Sequence, residues 1–233
     1  MSVPDGEVPI PTVVRELAGS DNIEPVWSNE LGGLTFSLGD ARYVKWTPPE
    51  TSIDLEDERC RLQWVIQYSP VPKVLESGSD DSGSWMVTAA LPWENAVSDR
   101  WMADPVRAVR AAATGLRAFH DRVPVAQCPF DWSVRTRIGD RDLPVDSPPI
   151  DKLVVCHGDA CMPNTLIADD GSWAAHVDMG TMGVADRWAD LAPAIWSIEY
   201  NYGRDYCEEF LTAYGVELDR ERLDYYLWLW EST

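Results

Sequence analysis

Three side chains set the chemistry open to this chain. Asp159 closes His157-Gly158-Asp159, Asn164 stands five residues further on, and Asp178 opens Asp178-Met179-Gly180 fourteen residues beyond that. The first pattern reads as a catalytic loop of the H-x-D-x-x-x-x-N type and the second as a metal-binding D-x-G, a combination suited to phosphoryl transfer. Asp159 can accept the proton of an attacking hydroxyl and hold its oxygen in line with the γ-phosphorus. The Asn164 amide oxygen and the Asp178 carboxylate can hold Mg2+ against the phosphates, where developing negative charge needs an offset. Singly, an Asp-Gly is commonly a turn and an Asn a cap, so the reading rests on the three together. His157 keeps two readings, a proton-transfer group or a residue that orients the loop by hydrogen bonding.

Elements must bring these groups together. Ser172-Trp173 lies in the turn between two short apolar runs, Thr165 to Ala168 and Ala174 to Val177. That predicts a hairpin with Asn164 before its first strand and Asp178 after its second, so that both converge on one metal. Further upstream, Arg42 to Trp46 reads as a strand with Lys45 between Val44 and Trp46, a place where a lysine needs a partner. The spacing of Leu55, Leu62, Val65 and Ile66 predicts a helix over 54–68. Gly32-Gly33, just before Thr35, reads as the tip of a hairpin whose N–H groups could face phosphates, or as an ordinary turn. Val71 to Leu75 and Trp85 to Ala90 read as strands around a Gly/Ser/Asp turn over 77–84, ending at a hinge near Thr88 to Leu91. Residues 1–24 show little periodicity beyond a short helix around Val13 to Ala18. Asp104 to His120 is an amphipathic helix opening a larger helical part, with His120 as a helix-end or packing residue.

HGDACMPNTL followed by HVDMGTMGVADRWADLA resembles the aminoglycoside 3'-phosphotransferases, a branch of the kinase-like aminoglycoside phosphotransferase family. The resemblance implies an α+β, two-lobed protein-kinase-like fold: residues 1–92 a nucleotide-binding lobe, residues 93–233 a catalytic and substrate-binding lobe. It implies transfer of the γ-phosphoryl of ATP (or GTP) to a hydroxyl, most directly the 3'-hydroxyl of an aminoglycoside, with Mg2+ held by Asn164 and Asp178. Lys45 then contacts the nucleotide phosphates and is held by Glu58 of ERCRLQW, with Glu56 as the other choice and plain surface charges as the bland one. Gly32, Gly33, Thr35 and the backbone at Ala90 complete the nucleotide site. Asp159, Glu199, Asn201 and Glu231 would meet the acceptor. Asp186, Arg187 and Asp190 would form an ion-pair network beneath the site, and Cys128-Pro129-Phe130-Asp131 is a structural match.

The chain also departs from that pattern. Between Trp132 and Leu153 a short Pro-rich stretch replaces a longer helical insertion, and its Asp140, Asp142 and Asp146 are either a substitute acidic loop or a solvated linker. Thr181 and Trp196 stand where arginines are usual, Tyr200-Asn201 where an acidic pair is usual, and Trp230-Glu231 near the end replace an Asp-Glu pair. Trp196 or Trp230 could instead wall an aromatic or apolar pocket. Two rival readings follow: a kinase of another small hydroxylated metabolite or antibiotic, and a nucleotide-binding regulator without turnover, against which the intact Asp159 argues.

Composition narrows the partners. A formal charge of -20 over 233 residues argues against nucleic acid, whose phosphates need a basic surface, and suits a polycationic small molecule, though an acidic surface can also serve solubility. Cysteines at 60, 128, 156, 161 and 207 form no C-x-x-C pair, as expected of reduced thiols in a cytoplasmic protein. No run has the length of a membrane span and no export signal is expected. A monomer or dimer is expected.

Overall fold

The computed structural model describes residues 8–29, 31–51, 53–139, 141 and 147–233. The chain divides into two compact units. One runs to Ile66 and resumes over Pro72–Pro92; the other joins Gln67–Val71 to Trp93–Thr233. The expected acidic cluster of Asp140, Asp142 and Asp146 lies outside the described residues.

The first unit is a five-stranded antiparallel sheet with two helices. Helix α1 (Thr12–Ala18) precedes β1 (Ile23–Ser28), β2 (Leu34–Leu38) and β3 (Arg42–Thr47); α2 (Leu55–Val65) then leads to β4 (Val74–Asp80) and β5 (Gly83–Ala89). The strand order is β1-β2-β3-β5-β4. Alternation along β2 and β3 puts Phe36, Leu38 and Val44 on one face, where they meet Val13, Val14 and Ala18 of α1 in a buried cluster. Asp54 caps α2 by accepting from the Glu56 and Asp57 amides, and the helix stops at Val65. The β4–β5 turn is only Asp81-Ser82, because Ser77 to Asp80 continue the ladder to Met86, Trp85, Ser84 and Gly83. Polar residues on an exposed edge strand look like a turn in sequence, and cross-strand pairing overrides that appearance.

The second unit is mainly helical. It comprises β6 (Glu94–Asn95), α3 (Asp99–Met102), α4 (Pro105–Arg122), α5 (Val134–Ile138), β7 (Leu153–Cys156), β8 (Thr165–Ile167), β9 (Trp173–His176), β10 (Gly183–Asp186), α6 (Trp188–Asn201), α7 (Cys207–Tyr214) and α8 (Arg220–Ser232). Its core gathers Val109, Ala112 and Leu116 of α4 with Trp188, Leu191 and Ile195 of α6 and Phe210, Tyr226 and Leu229 of the last two helices. Each large apolar side chain buried there stabilises the fold by about 1.5–3 kcal/mol. Two small sheets are laid on this core: β7 pairs with β10, and β6, β8 and β9 form the other. Trp173 of β9 lies over Gly115 of α4, where an added Cβ would come within 2.3 Å of the indole. That close approach seats the hairpin on the helix. No helix among the described residues is long and apolar enough to cross a membrane.

Candidate active site

The hairpin forms as the sequence suggests. Thr165 pairs with His176 across β8 and β9, and the Val177 amide donates to the Asn164 carbonyl at 3.0 Å, so the residues before and after the hairpin lie side by side. Asn164 therefore sits next to the chain that carries Asp178. The Asn164 Nδ2 group donates to both the backbone oxygen and Oδ2 of Asp159, each at 2.9 Å. With its nitrogen committed to Asp159, the amide oxygen of Asn164 points elsewhere. Asp159 Oδ1 is buried without a hydrogen-bond partner. Burial, and next the charge of Asp178, push the Asp159 carboxyl above the usual range. Asp178 itself is exposed and holds a left-handed backbone, φ +63°, the non-glycine exception among the described residues.

Gly158 explains the middle letter of the H-G-D run. Its φ is +91°, and a Cβ there would lie 2.3 Å from the Thr181 carbonyl oxygen. The catalytic loop and the turn after Asp178 thus touch backbone to backbone, which only glycine allows. Of the two readings of His157, the geometry supports orientation. Its ring is fully buried, Nε2–H donates to the Val177 carbonyl at 2.9 Å, and Nδ1 accepts from the Asp159 amide at 3.3 Å. Both ring nitrogens are engaged in holding the loop to the hairpin.

Beneath the loop lies a buried polar cluster that the sequence only hinted at. Asp190 of α6 accepts from the His157 amide at 2.6 Å, from the Gly158 amide at 2.8 Å and from His120 Nε2 at 2.8 Å. His120 completes the chain through Nδ1 to the Tyr214 hydroxyl at 2.7 Å. Burial alone would raise the Asp190 carboxyl, but the hydrogen bonds and the histidine outweigh it and hold it below the usual range. His120 is therefore more than a helix-end packing residue, since it links α4 and α7 to the catalytic loop's acceptor. His176, packed edge-on to His157 at 5.4 Å, is held well below its usual range by burial and so is neutral there. The ion-pair network expected of Asp186, Arg187 and Asp190 takes a different form. Arg187 pairs with Asp151 at 2.6 Å, while Asp186 accepts the Asp151 and Trp188 amides. His120, Cys156 and Asp190 lie close enough to suggest a metal, with ligand atoms within 4.8 Å. The direct hydrogen bond between His120 and Asp190 and the Cys156 thiol's bond to the Asp186 carbonyl make the trio a hydrogen-bonded support.

In the first unit, Lys45 Nζ meets Glu58 at 2.6 and 2.8 Å, and Glu58 is 5% exposed. Glu56 is turned instead to Arg59. Thr35 stands directly across from Lys45 in the β2–β3 ladder. The loop before β2 is closed on itself: Asn29 Oδ1 accepts the Gly33 amide at 2.8 Å and the Leu31 amide at 3.0 Å, and the Asn29 carbonyl accepts the Gly32 amide at 3.3 Å. The Ala90 amide donates to the Ala41 carbonyl at 2.8 Å.

The residues expected at the acceptor have their own local partners. Glu199 is paired with Arg204, and the Asn201 side chain donates back to the Ser197 carbonyl at 2.7 Å. Glu231 is exposed near the end of α8. Beside them Trp196 stacks on Tyr200, with ring centroids 5.4 Å apart and planes 8° from parallel, and Trp230 packs on Trp196 at 5.1 Å.

An antiparallel sheet unit carrying a Lys–Glu pair, and a helical unit carrying this loop and hairpin, define a kinase-like phosphotransferase of the α+β class. Comparison with known proteins agrees. Residues 140–226 match the phosphotransferase enzyme family. The chain is 33% identical to an aminoglycoside 3'-phosphotransferase of Streptomyces fradiae, covering 80% of this chain and 82% of that protein. It is 34% identical to a streptomycin 3''-kinase of Streptomyces griseus, covering 88% and 89%. Among solved structures, aminoglycoside phosphotransferase APH(3'')-Id of Streptomyces rimosus superposes with a TM-score of 0.77 at 29% identity, covering 94% of this chain and 95% of that one. The same protein in complex with ADP and streptomycin gives 0.72 at 27% identity. The chain belongs to the aminoglycoside phosphotransferase family, whose members are phosphoryl-transferring enzymes.

Proposed function

We propose that this enzyme transfers the γ-phosphoryl group of ATP to a hydroxyl of an aminoglycoside, with Asp159 as the group that receives the acceptor. The observation that carries this is the state of Asp159. One carboxylate oxygen is tied down by Asn164, while the other, with only the weakly donating Cys161 thiol beside the carboxylate, is left to take the hydrogen bond of an incoming hydroxyl. A carboxyl raised by burial is also a better match to the weakly acidic proton it must take than an ordinary surface aspartate. Asn164 and Asp178 supply an amide oxygen and a carboxylate, the hard donors that suit Mg2+. Bound there, the ion would offset charge on the phosphates. Lys45, held by Glu58, is proposed to bind the nucleotide phosphates, with Gly32, Gly33, Thr35 and Ala90 beside it.

The acceptor hydroxyl is the finer question. The 3'-hydroxyl of a 2-deoxystreptamine aminoglycoside is the first reading, in keeping with the Streptomyces fradiae relative. A 3''-type reaction on streptomycin is the second, favoured by the longer match to the streptomycin 3''-kinase and by Glu199 and Asn201 being engaged within their own helix region. The test is ATP turnover with Mg2+ over streptomycin and a panel of 2-deoxystreptamine compounds with or without a 3'-hydroxyl, with Asp159→Ala as control. Acceptor-dependent ADP release that disappears in the variant is expected. Tight, Mg2+-dependent ATP binding with no turnover on any compound would sink the proposal in favour of a non-catalytic nucleotide binder.

A further inference from the structure

An exposed aromatic group lies beside the catalytic loop and takes no part in the core. Trp196 is 37% and Tyr200 76% exposed, although each is large enough that burying it would stabilise the fold. They stack nearly parallel on one another, and Trp230 of α8 backs Trp196. Their place is set by Ser197. The Met162 amide, three residues past Asp159, donates to the Ser197 hydroxyl at 3.0 Å, and the Cys161 thiol reaches the Pro193 carbonyl. So the Pro193–Ser197 face of α6 holds the loop. On a helix of 3.6 residues per turn, Trp196 and Tyr200 lie about 60–100° round from Ser197, on one side. The shelf they form therefore adjoins the segment carrying Asp159.

We propose that Trp196, Tyr200 and Trp230 form an acceptor subsite that recognises a planar, delocalised cation of the guanidinium type by stacking. The subsite rests on the proposed phosphoryl transfer to a small cationic acceptor. Three properties select the ligand class. The faces of Trp and Tyr carry negative quadrupole and attract cations. The outer face of a stacked ring pair favours a flat partner, and a guanidinium is both planar and more weakly hydrated than an ammonium, so it gives up less on desolvation. The surroundings are acidic: Glu231 follows Trp230 and is exposed, in a chain of net charge -20. Glu199, in contrast, already holds Arg204, a guanidinium of the chain itself, one turn from the shelf. An ammonium would instead call for direct carboxylate partners.

The experiment uses the full chain with ADP and Mg2+ present. Streptomycin, which bears guanidino groups, is compared by titration calorimetry with its analogue carrying amines in their place, and both are then assayed with ATP. The guanidino form should bind more tightly. Tyr200→Leu and Trp196→Leu should each reduce that preference by about 5- to 30-fold, while Tyr200→Phe, which keeps the ring, preserves it. Equal binding of the two compounds overturns the subsite, as does a loss in the Leu variants that is the same for both. A dimer of wild type that Tyr200→Leu disperses also overturns it, making the shelf a contact between copies. Turnover distinguishes the two proposals. If amine-bearing acceptors are phosphorylated without any guanidinium preference, only the subsite fails. A clear binding preference with no acceptor turned over defeats the phosphoryl-transfer reading alone.

Discussion

Replacing Gly158 by alanine should damage activity far more than its cost in stability suggests. A Cβ at 158 would stand 2.3 Å from the Thr181 carbonyl oxygen and 2.6 Å from its carbonyl carbon, where real contacts stay beyond 3.0 Å. One of the two backbones must move by at least about 0.7 Å. Two of the three nearest atoms are main chain, so turning the third, the Thr181 hydroxyl, away does not relieve the clash. Alanine at φ +91° costs about 1–2 kcal/mol, and overpacking adds about 1–3 kcal/mol. For a chain of this size each kcal/mol lowers Tm by about 2–4 °C. The displacement falls between Asp159 and the turn after Asp178, and an error approaching 1 Å there costs on the order of 100-fold in rate. Gly215→Ala is the internal control. Gly215 has φ +85°, but its added Cβ would meet only Arg117 Nη1 at 3.5 Å, so it carries the backbone strain without the collision. Steady-state ADP release and thermal melts on both variants make the comparison. If Gly158→Ala resembles Gly215→Ala in both rate and Tm, the backbone contact does not position the site and the argument fails.

Two further outcomes follow from the buried carboxylates. Asp159→Asn should lower turnover by about 10²–10⁴-fold and yet raise Tm, because it removes a carboxylate whose ionised form is disfavoured by burial and by Asp178. The sign in pH is fixed: a carboxyl raised in the fold costs stability once ionised, so the gain should be largest near pH 7 and shrink as pH falls through the raised range toward the ordinary carboxylate value; a gain that grows on acidification would refute the burial argument. Glu58→Ala should raise the KM for ATP about tenfold and cost about 1–3 kcal/mol in urea unfolding, since it removes a nearly buried partner of Lys45; an unchanged KM would show that Lys45 does not need Glu58 to hold the nucleotide.

The residues of the proposed chemistry were legible because they are local. Asp159 and Asn164 are five apart, and the short apolar runs between Asn164 and Asp178 make a hairpin whatever else the chain does. Lys45 was legible for a related reason, as a charge in an apolar strand, though only the fold decides for Glu58 over Glu56. What escaped the sequence depends on distant segments meeting. The β4 strand runs through Ser77 to Asp80 because β5 pairs with it, and nothing in those residues themselves favours a strand. His120 lies seventy residues from Asp190 and ninety-four from Tyr214, and only packing of α4 against α6 and α7 brings the three together.

This difference has a mechanical consequence. The groups in the motifs are held by groups outside them: Asp190 grips the loop at two successive amides, His157 ties it to the hairpin, and Ser197 takes the Met162 amide. Four hydrogen bonds thus hold the loop on both sides of Asp159, and three of them are accepted by α6. The same helix presents Trp196 and Tyr200 to solvent. A change on the buried face of α6 must therefore reach both the loop that carries Asp159 and the aromatic shelf beside it. With the proposed subsite in place, acceptor preference and turnover are joined through that helix, whereas the Lys45–Glu58 pair is formed wholly within the other unit.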